Sequence, residues 1–288
     1  MSNFSAAKIQ LFNYFLYICK VFVLYYDNTM KRNILLILVL LITAVGIAQP
    51  KIVAHRGYHQ KGGAARNSIE SLKMAQQEGF EYIEIDVNLS SDGVPMVVHG
   101  PWYPSKKDGV HVQKSTKDQI QKYLLSNHEI VPTFEDMLKQ VAKHQTTGLV
   151  IDIKTHDTPA IQRELIKKIA TLVSRYKLQD KVLYMVNIEQ SVYQLKRLNR
   201  RADNILFSNG AYSIAWRVGL GCIYIGYNHT AWAKKPELLE ECALHSGVKT
   251  IAWTPNKESD IRRVVELGID IIFSDNPMLV RKVINEKY

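Results

Sequence analysis

The sequence predicts an α/β fold, a TIM-type (β/α)8 barrel with a small insertion after the second barrel strand. Three observations carry this. Short apolar runs alternate with amphipathic stretches after residue 50, the pattern of strand–helix units around a parallel sheet. Eight such units can be counted. The length of 288 residues suits one domain of the roughly 250 residues such barrels use. A doubly wound open sheet is the alternative, and it is disfavoured because no glycine-rich phosphate loop follows any strand.

In chain order, residues 52–54 form the first strand. Residues 68–78 follow as a helix, with Ile69, Leu72 and Ala75 at helical spacing. Residues 82–89 alternate Ile83, Ile85 and Val87 with Glu84, Asp86 and Asn88, the period of a strand with two unlike faces. Residues 95–99 read as a short strand extending this second unit. Residues 100–126 fit neither period. They hold Pro101, Pro104, a Lys106-Lys107-Asp108-Gly109 turn and a short helical pattern, and are expected to form the insertion, a lid or substrate-selecting flap. A helix is predicted over 133–144, the third barrel strand over 149–153 and a long helix over 159–176. Strands at 182–186, 205–207, 222–225, 250–253 and 271–273 complete the eight.

The N-terminal segment has a different logic. Met30-Lys31-Arg32-Asn33 is a basic n-region, residues 34–45 an apolar h-region, and Gly46-Ile47-Ala48 places small residues for cleavage after Ala48. This predicts a signal peptide over 30–48, export to a periplasmic or secreted location, and a catalytic-sized domain over 49–288. The apolar run is short for a membrane span. Residues 1–29 hold another apolar stretch, interrupted by Asn13 and Lys20, and are read as an upstream extension or a start assigned too early; a membrane hairpin is the alternative. No cysteine follows the signal, which argues against lipoprotein processing.

The formal net charge is +10. Residues 1–48 carry four basic groups (Lys8, Lys20, Lys31, Arg32) and one acid, Asp27, so the rest keeps a positive balance. That balance suits anionic substrates or peripheral contact with a membrane surface; the basic residues are scattered along helices, and nucleic acid is not expected as a partner. Of the two cysteines in the domain, Cys222 falls in an apolar strand pattern. Pairing with Cys242 and burial as free thiols both remain open, and neither has metal-ligand spacing.

Polar residues collect where strands end: His55-Arg56 after the first strand, Glu84 and Asp86 at i and i+2 on the second, His99 after its extension, Asp152 and Lys154 at i and i+2 on the third, Trp253 on the seventh and Asp275 after the eighth. In a barrel these ends share one mouth, where active sites lie. Taken singly, each has a bland explanation: a carboxylate paired with a lysine, a satisfied strand-end histidine, a rim tryptophan. Together they form a set with chemical logic. The carboxylates Glu84, Asp86 and Asp152 suit one hard divalent cation, Ca²⁺ or Mg²⁺. Arg56 and Lys154 can clamp a phosphate, and His55 and His99 can act as acid and base.

The blocks Ala54-His55-Arg56-Gly57, Asn67-Ser68, Glu84-Ile85-Asp86-Val87, Ser91-Asp92-Gly93, Val98-His99, Pro132-Thr133-Phe134, Asp152-Ile153-Lys154, Ala252-Trp253-Thr254 and Ser274-Asp275-Asn276-Pro277 follow in that order. In this arrangement the chain resembles the glycerophosphodiester phosphodiesterases, over nearly all of residues 52–277. The resemblance implies a TIM barrel and metal-dependent hydrolysis of a small-molecule glycerophosphodiester to sn-glycerol 3-phosphate and an alcohol, in lipid and glycerol metabolism. By position it implies Glu84, Asp86 and Asp152 as metal ligands, His55 and His99 as the acid–base pair, Arg56 and Lys154 as phosphate contacts, and Trp253 packed on the glycerol moiety. Three positions depart from the family pattern: Arg66 stands before Asn67 where the family has Glu, Gly100 follows His99 where it has Asp, and the third carboxylate is Asp152 where it usually has Glu. These departures motivate two alternatives, a related phosphodiesterase with a phosphoinositide-like or phospholipase D-like substrate, and a non-catalytic phosphodiester-binding envelope protein.

Overall fold

In the computed structural model, which describes residues 49–60, 62–144, 146–207 and 211–288, eight parallel strands run side by side around a barrel. They are β1 (Lys51–Ala54), β2 (Tyr82–Leu89), β6 (Gly148–Ile153), β7 (Val182–Val186), β8 (Asn204–Leu206), β9 (Tyr224–Asn228), β10 (Lys249–Trp253) and β11 (Ile271–Ser274). Between β2 and β6 come three short strands, β3 (Pro95–Val97), β4 (Trp102–Tyr103) and β5 (Val110–His111). The hydrogen-bonded order is β8-β7-β6-β2-β1-β11-β10-β9, and its two ends, β8 and β9, lie near each other, so the barrel is nearly closed. The expectations for residues 1–29, for a signal peptide over 30–48 and for cleavage after Ala48 lie outside the described residues.

The alternation in β2 sorts its side chains. Ile83, Ile85, Val87 and Leu89 face outward and join a core with buried residues of the surrounding helices, such as Leu138, Leu165 and Ile169. Glu84, Asp86 and Asn88 take the opposite face. A second cluster fills the barrel itself with Val53, Val150, Leu183, Met185, Ile205, Ile251, Ile271 and Phe273, the inward residues of alternate positions. The barrel is therefore a packed core below and a polar mouth above. Residues 51–284 thus supply the eight barrel strands and both clusters, a buried core of the kind an independently folding domain has.

Local signals set the helix starts. The Ser68 hydroxyl accepts from Ser71 N at 2.9 Å and opens the helix Ile69–Gln77. Thr133 and Asp136 form a reciprocal capping box at the start of Phe134–Lys143, with Asp136 N donating to Thr133 Oγ1 at 3.2 Å and Thr133 N to Asp136 Oδ2 at 3.1 Å. Pro159 and Pro277 occupy first-turn positions, where a missing N–H costs nothing.

The insertion folds over a small separate core, in which its Val112 and Ile120 are buried with Val98 and Val131 of the flanking chain. It contains the β4–β5 hairpin and the short helix Lys117–Ile120. Two strands differ from expectation by two residues or more, and one is β3, which stops at Val97 and not at His99. The sixth barrel strand runs from Tyr224 to Asn228, not over 222–225. The preceding helix ends at Gly219, Gly221 turns the chain at φ +78°, and Cys222 N still donates to Arg217 O at 3.0 Å. The extended chain thus begins two residues later, and its mouth end is Tyr227-Asn228, which lacks the aliphatic signature of a strand. Cys222 and Cys242 are buried and unpaired; burial pushes their thiols up to about 11 and about 12.

Candidate active site

Parallel registry brings the chemistry together. Asp86 on β2 lies directly beside Asp152 on β6, and Ala54 of β1 beside Ile83 of β2 and Ser274 of β11. The residues following these strand ends therefore meet at one mouth. A cavity of about 110 Å³ there is lined by His55, Arg56, Glu84, Asp86, His99, Asp152, Lys154, Met185, Phe207, Trp253, Thr254 and Phe273. All eight residues expected from the sequence are among them. His99 reaches the rim because β3 pairs antiparallel with the end of β2 and Val98 N donates to Asp86 O at 3.0 Å.

The charged groups interlock. Lys154 Nζ lies 2.6 Å from Asp86 Oδ1 and is also paired with Asp152 Oδ2. Arg56 Nε stands 3.3 Å from Asp86 Oδ2, an ion pair without good hydrogen-bond alignment. Arg56 N donates to Glu84 Oε2 at 3.0 Å. To allow this Arg56 adopts φ +57° and Asn67 φ +60°, left-handed conformations that cost of order 1–3 kcal/mol for non-glycine residues. Asn67 N donates to Arg56 O at 2.9 Å, which ties the two strained residues together.

Burial drives the electrostatics. Glu84 is pushed well above the ordinary carboxylate value by burial, then by Asp86 and Asp152, against the opposing pull of Lys154 and Arg56. Asp152 is raised by burial and Asp86, although Lys154 pulls it down. For Asp86 burial is outweighed by Lys154, Arg56 and the Asn67 hydrogen bond, and its value is lowered. Burial opposes charge on Lys154 too, but the Asp152 and Asp86 carboxylates win and hold the ammonium charged.

A divalent cation fits this set. Carboxylate oxygens of Glu84, Asp86 and Asp152 lie within 4.8 Å of one another. Asp152 Oδ1 is buried with no hydrogen-bond partner, a lone pair that a hard cation satisfies. Asp86 and Asp152 add to burial in raising Glu84, so a cation held among the three carboxylates would favour its charged form. Asp152 is one methylene shorter than Glu, yet the β2–β6 registry sets it close enough to share the group.

His55 is positioned by a residue to which sequence reasoning attached no role. Its Nδ1 lies 3.0 Å from Asp275 Oδ1, so Nδ1–H donates and Nε2 faces the cavity, 3.8 Å from Glu84 Oε2. Asp275 also receives His59 Nε2 at 3.2 Å and Asn256 Nδ2 at 2.8 Å, with Arg66 Nη2 at 3.6 Å. Burial raises Asp275, but the His55 and His59 hydrogen bonds, the His55 charge and Asn256 prevail and hold it well below the usual carboxylate range. Asn67 was likewise seen only as a helix-start residue; its Nδ2 donates to Asp86 Oδ2 at 2.8 Å and its Oδ1 accepts from Asp86 N at 3.2 Å, which fixes the carboxylate's rotamer. His156 braces Lys154, with Nδ1 donating to the Lys154 carbonyl at 3.0 Å and Nε2 accepting from Leu89 N at 3.1 Å. For Asp275 the available signal was its place one residue past a strand end. For His59 and Asn256, loop residues with no periodicity, there was none.

The departures have visible surroundings. Arg66 pairs with Asp275 at the rim. Gly100 takes φ +48°, where a Cβ would lie 3.1 Å from Asn88 Nδ2, so an aspartate there would be strained and crowded. Trp253 stands edge-on to Phe207, ring centroids 4.7 Å apart, and its ring fills the space a Cβ on Gly226 would need, with Cζ3 only 2.3 Å from that point.

Residues 55–279 match the sequence profile of the Glycerophosphoryl diester phosphodiesterase family. A glycerophosphodiester phosphodiesterase of Caldanaerobacter subterraneus subsp. tengcongensis is 26% identical over 246 residues, spanning 80% of this chain and 98% of that protein. The crystal structure of a glycerophosphodiester phosphodiesterase from Parabacteroides distasonis superimposes with a TM-score of 0.78 at 29% identity, covering 84% of this chain and 99% of that one. A phosphodiesterase of Oleispira antarctica, solved in complex with the product sn-glycerol-3-phosphate, superimposes with a TM-score of 0.70 at 22% identity, covering 82% and 97%; that likeness concerns the fold.

Proposed function

This chain belongs to the glycerophosphoryl diester phosphodiesterase family, and on that premise we propose that it hydrolyses glycerophosphodiesters to sn-glycerol 3-phosphate and an alcohol, using one Ca²⁺ or Mg²⁺ ion. The observation that carries the reading is the convergence of two histidines, two cationic side chains and three carboxylates on one cavity at the barrel mouth.

Glu84, Asp86 and Asp152 would hold the cation, which when bound supplies charge neutralisation at the phosphate. Arg56 and Lys154 take the non-bridging phosphate oxygens. Trp253 and Phe207 form an apolar wall for the glycerol carbons. A water oxygen makes the new bond to phosphorus and the bond to the alcohol oxygen breaks. One imidazole accepts the water's proton and the other delivers a proton to the departing oxygen. Burial lowers His99 below histidine's usual value, with Lys154, Arg56 and His55 adding to it against Asp86. A neutral His99 suits proton acceptance, which leaves the return to His55 through Nε2 while Asp275 holds Nδ1.

The test is hydrolysis of glycerophosphocholine and glycerophosphoethanolamine by residues 49–288 with Ca²⁺, Mg²⁺ or EDTA. Release of glycerol 3-phosphate with an ion and none with EDTA is the expected result. Absence of turnover on these and related diesters with either ion would sink the proposal. The export pattern of residues 30–48 supports placing the reaction outside the cytoplasm. A mature N-terminus at Gln49 on the exported protein is the outcome expected, and cytoplasmic retention of the uncleaved chain the contrary one.

A further inference from the structure

We propose that the insertion is a docking surface for an anionic phospholipid bilayer, and that it brings the barrel mouth to the lipid surface. Three large apolar side chains stand exposed on it and just after it: Trp102 at 36% and Leu124 at 48% within the insertion, and Ile130 at 58% four residues past its end. Leu124 pairs with Ile130 across an isolated antiparallel bridge. Trp102 stands edge-on to His111 on the β4–β5 hairpin, and that hairpin is tied to the same segment by the Tyr103 hydroxyl, which donates to Leu124 O at 3.0 Å. Scattered exposed apolar residues call for no explanation, but a leucine and an isoleucine paired across a bridge, with an exposed tryptophan on the hairpin fastened to them, concentrate apolar surface on one small unit. None of the three belongs to the insertion's own buried core.

Charge selects the partner. Residues 100–126 carry five lysines and two aspartates. Among the described residues Lys106 and Lys107, on the turn between Tyr103 and Val110, and Lys122, two residues before Leu124, make no ion pair and are exposed. Glu129, the acid beside Ile130, is engaged elsewhere: its carboxylate accepts from Ile69 N at 3.1 Å and Glu70 N at 3.3 Å. An aromatic and aliphatic patch flanked by free lysines is complementary to an anionic headgroup layer over acyl chains. The same segment is fastened to the mouth. Gln113 Nε2 donates to Asn88 Oδ1 at 2.9 Å and to Thr155 O at 3.0 Å, the residue after Lys154. A protein seated by this patch thus holds its cavity beside the bilayer.

The surface is independent of the proposed reaction, and sedimentation with vesicles tests it without reference to turnover. Residues 49–288 are mixed with vesicles containing phosphatidylglycerol or with vesicles of phosphatidylcholine alone. Binding to the anionic vesicles that weakens as salt rises is expected. Lys106→Gln with Lys107→Gln should weaken partitioning about 30-fold, at about fivefold per lysine removed. Trp102→Ser with Ile130→Ser should abolish the salt-resistant part. The lysine pair is exposed and should keep the wild-type Tm; the apolar pair gives up the Trp102 contact with His111 and should keep the wild-type circular dichroism spectrum; both should keep the wild-type turnover of a soluble diester. Failure to sediment with anionic vesicles overturns the proposal. So does binding that neither folded variant pair alters, or a concentration-dependent dimer that the apolar pair dissolves in the absence of any vesicle binding.

Discussion

Asp275 sits outside the cavity yet governs one of its two imidazoles. If it sets the tautomer and orientation of His55, Asp275→Asn should lower kcat by about 10–100-fold with KM little changed, since support of a reactive group by its hydrogen-bond partner is commonly worth that much. Steady-state kinetics on a soluble diester checks this. The same substitution has a pH signature. A carboxylate whose folded value is depressed adds stability that is complete above its unfolded value, about 3.9, and is lost as pH falls toward the folded one. Asp275→Asn should therefore flatten the acid limb of a stability–pH curve, while leaving its alkaline limb in place. Urea titrations at successive pH values give both limbs. Gly226 matters through space alone. In Gly226→Ala the new methyl must displace the Trp253 ring, at about 1–3 kcal/mol of overpacking, and KM should rise more than kcat falls. An unchanged KM would separate Trp253 from substrate.

At the scale of single elements, β2 does most to define the site. Its outward face is aliphatic and holds the strand against the helices, so its inward carboxylates are delivered by the same alternation that stabilises it. The helix Phe134–Lys143 anchors the far side of this unit, and its start depends on Thr133 and Asp136 capping each other. Thr133→Ala should cost about 1 kcal/mol and lower Tm by about 2–4 °C in a domain of this size. Turnover should be unaffected, because the cap lies away from the cavity. Differential scanning calorimetry together with an activity assay distinguishes the two effects.

For the whole molecule, the carboxylate cluster is a liability that a cation relieves. Three buried carboxylates share one end of the barrel, and Glu84 is raised first by burial and then by its neighbours Asp86 and Asp152. Ca²⁺ or Mg²⁺ binding only the folded state should raise Tm, by the equivalent of about 2.7 kcal/mol at a free concentration one hundred times Kd. Glu84→Gln should erase most of the response to the ion. A Tm insensitive to both ions would argue that Lys154, already paired with Asp86 and Asp152, is the cluster's permanent partner.

Much of this was legible in the chain itself. The number and order of barrel strands follow from short apolar runs spaced by amphipathic stretches, because strand and helix periods are local properties of the polymer. The strand-end positions of His55, Glu84, Asp86, Asp152, Lys154 and Trp253 follow from the same runs, and a parallel barrel sends those ends to one mouth. Periodicity was weakest where the sixth strand ends in Tyr227-Asn228, and there the boundary moved by three residues. What only the tertiary structure decided is registry and loop placement. Asp86 stands beside Asp152 because Tyr82 pairs with Gly148, a choice made by packing over the whole sheet. Asp275 meets His55 across 220 residues of chain, and Asn67 and His59 reach the site from a non-periodic loop held by strained backbone. Local patterns specify which face a side chain takes; which distant face it meets depends on contacts that exist only once the barrel has closed.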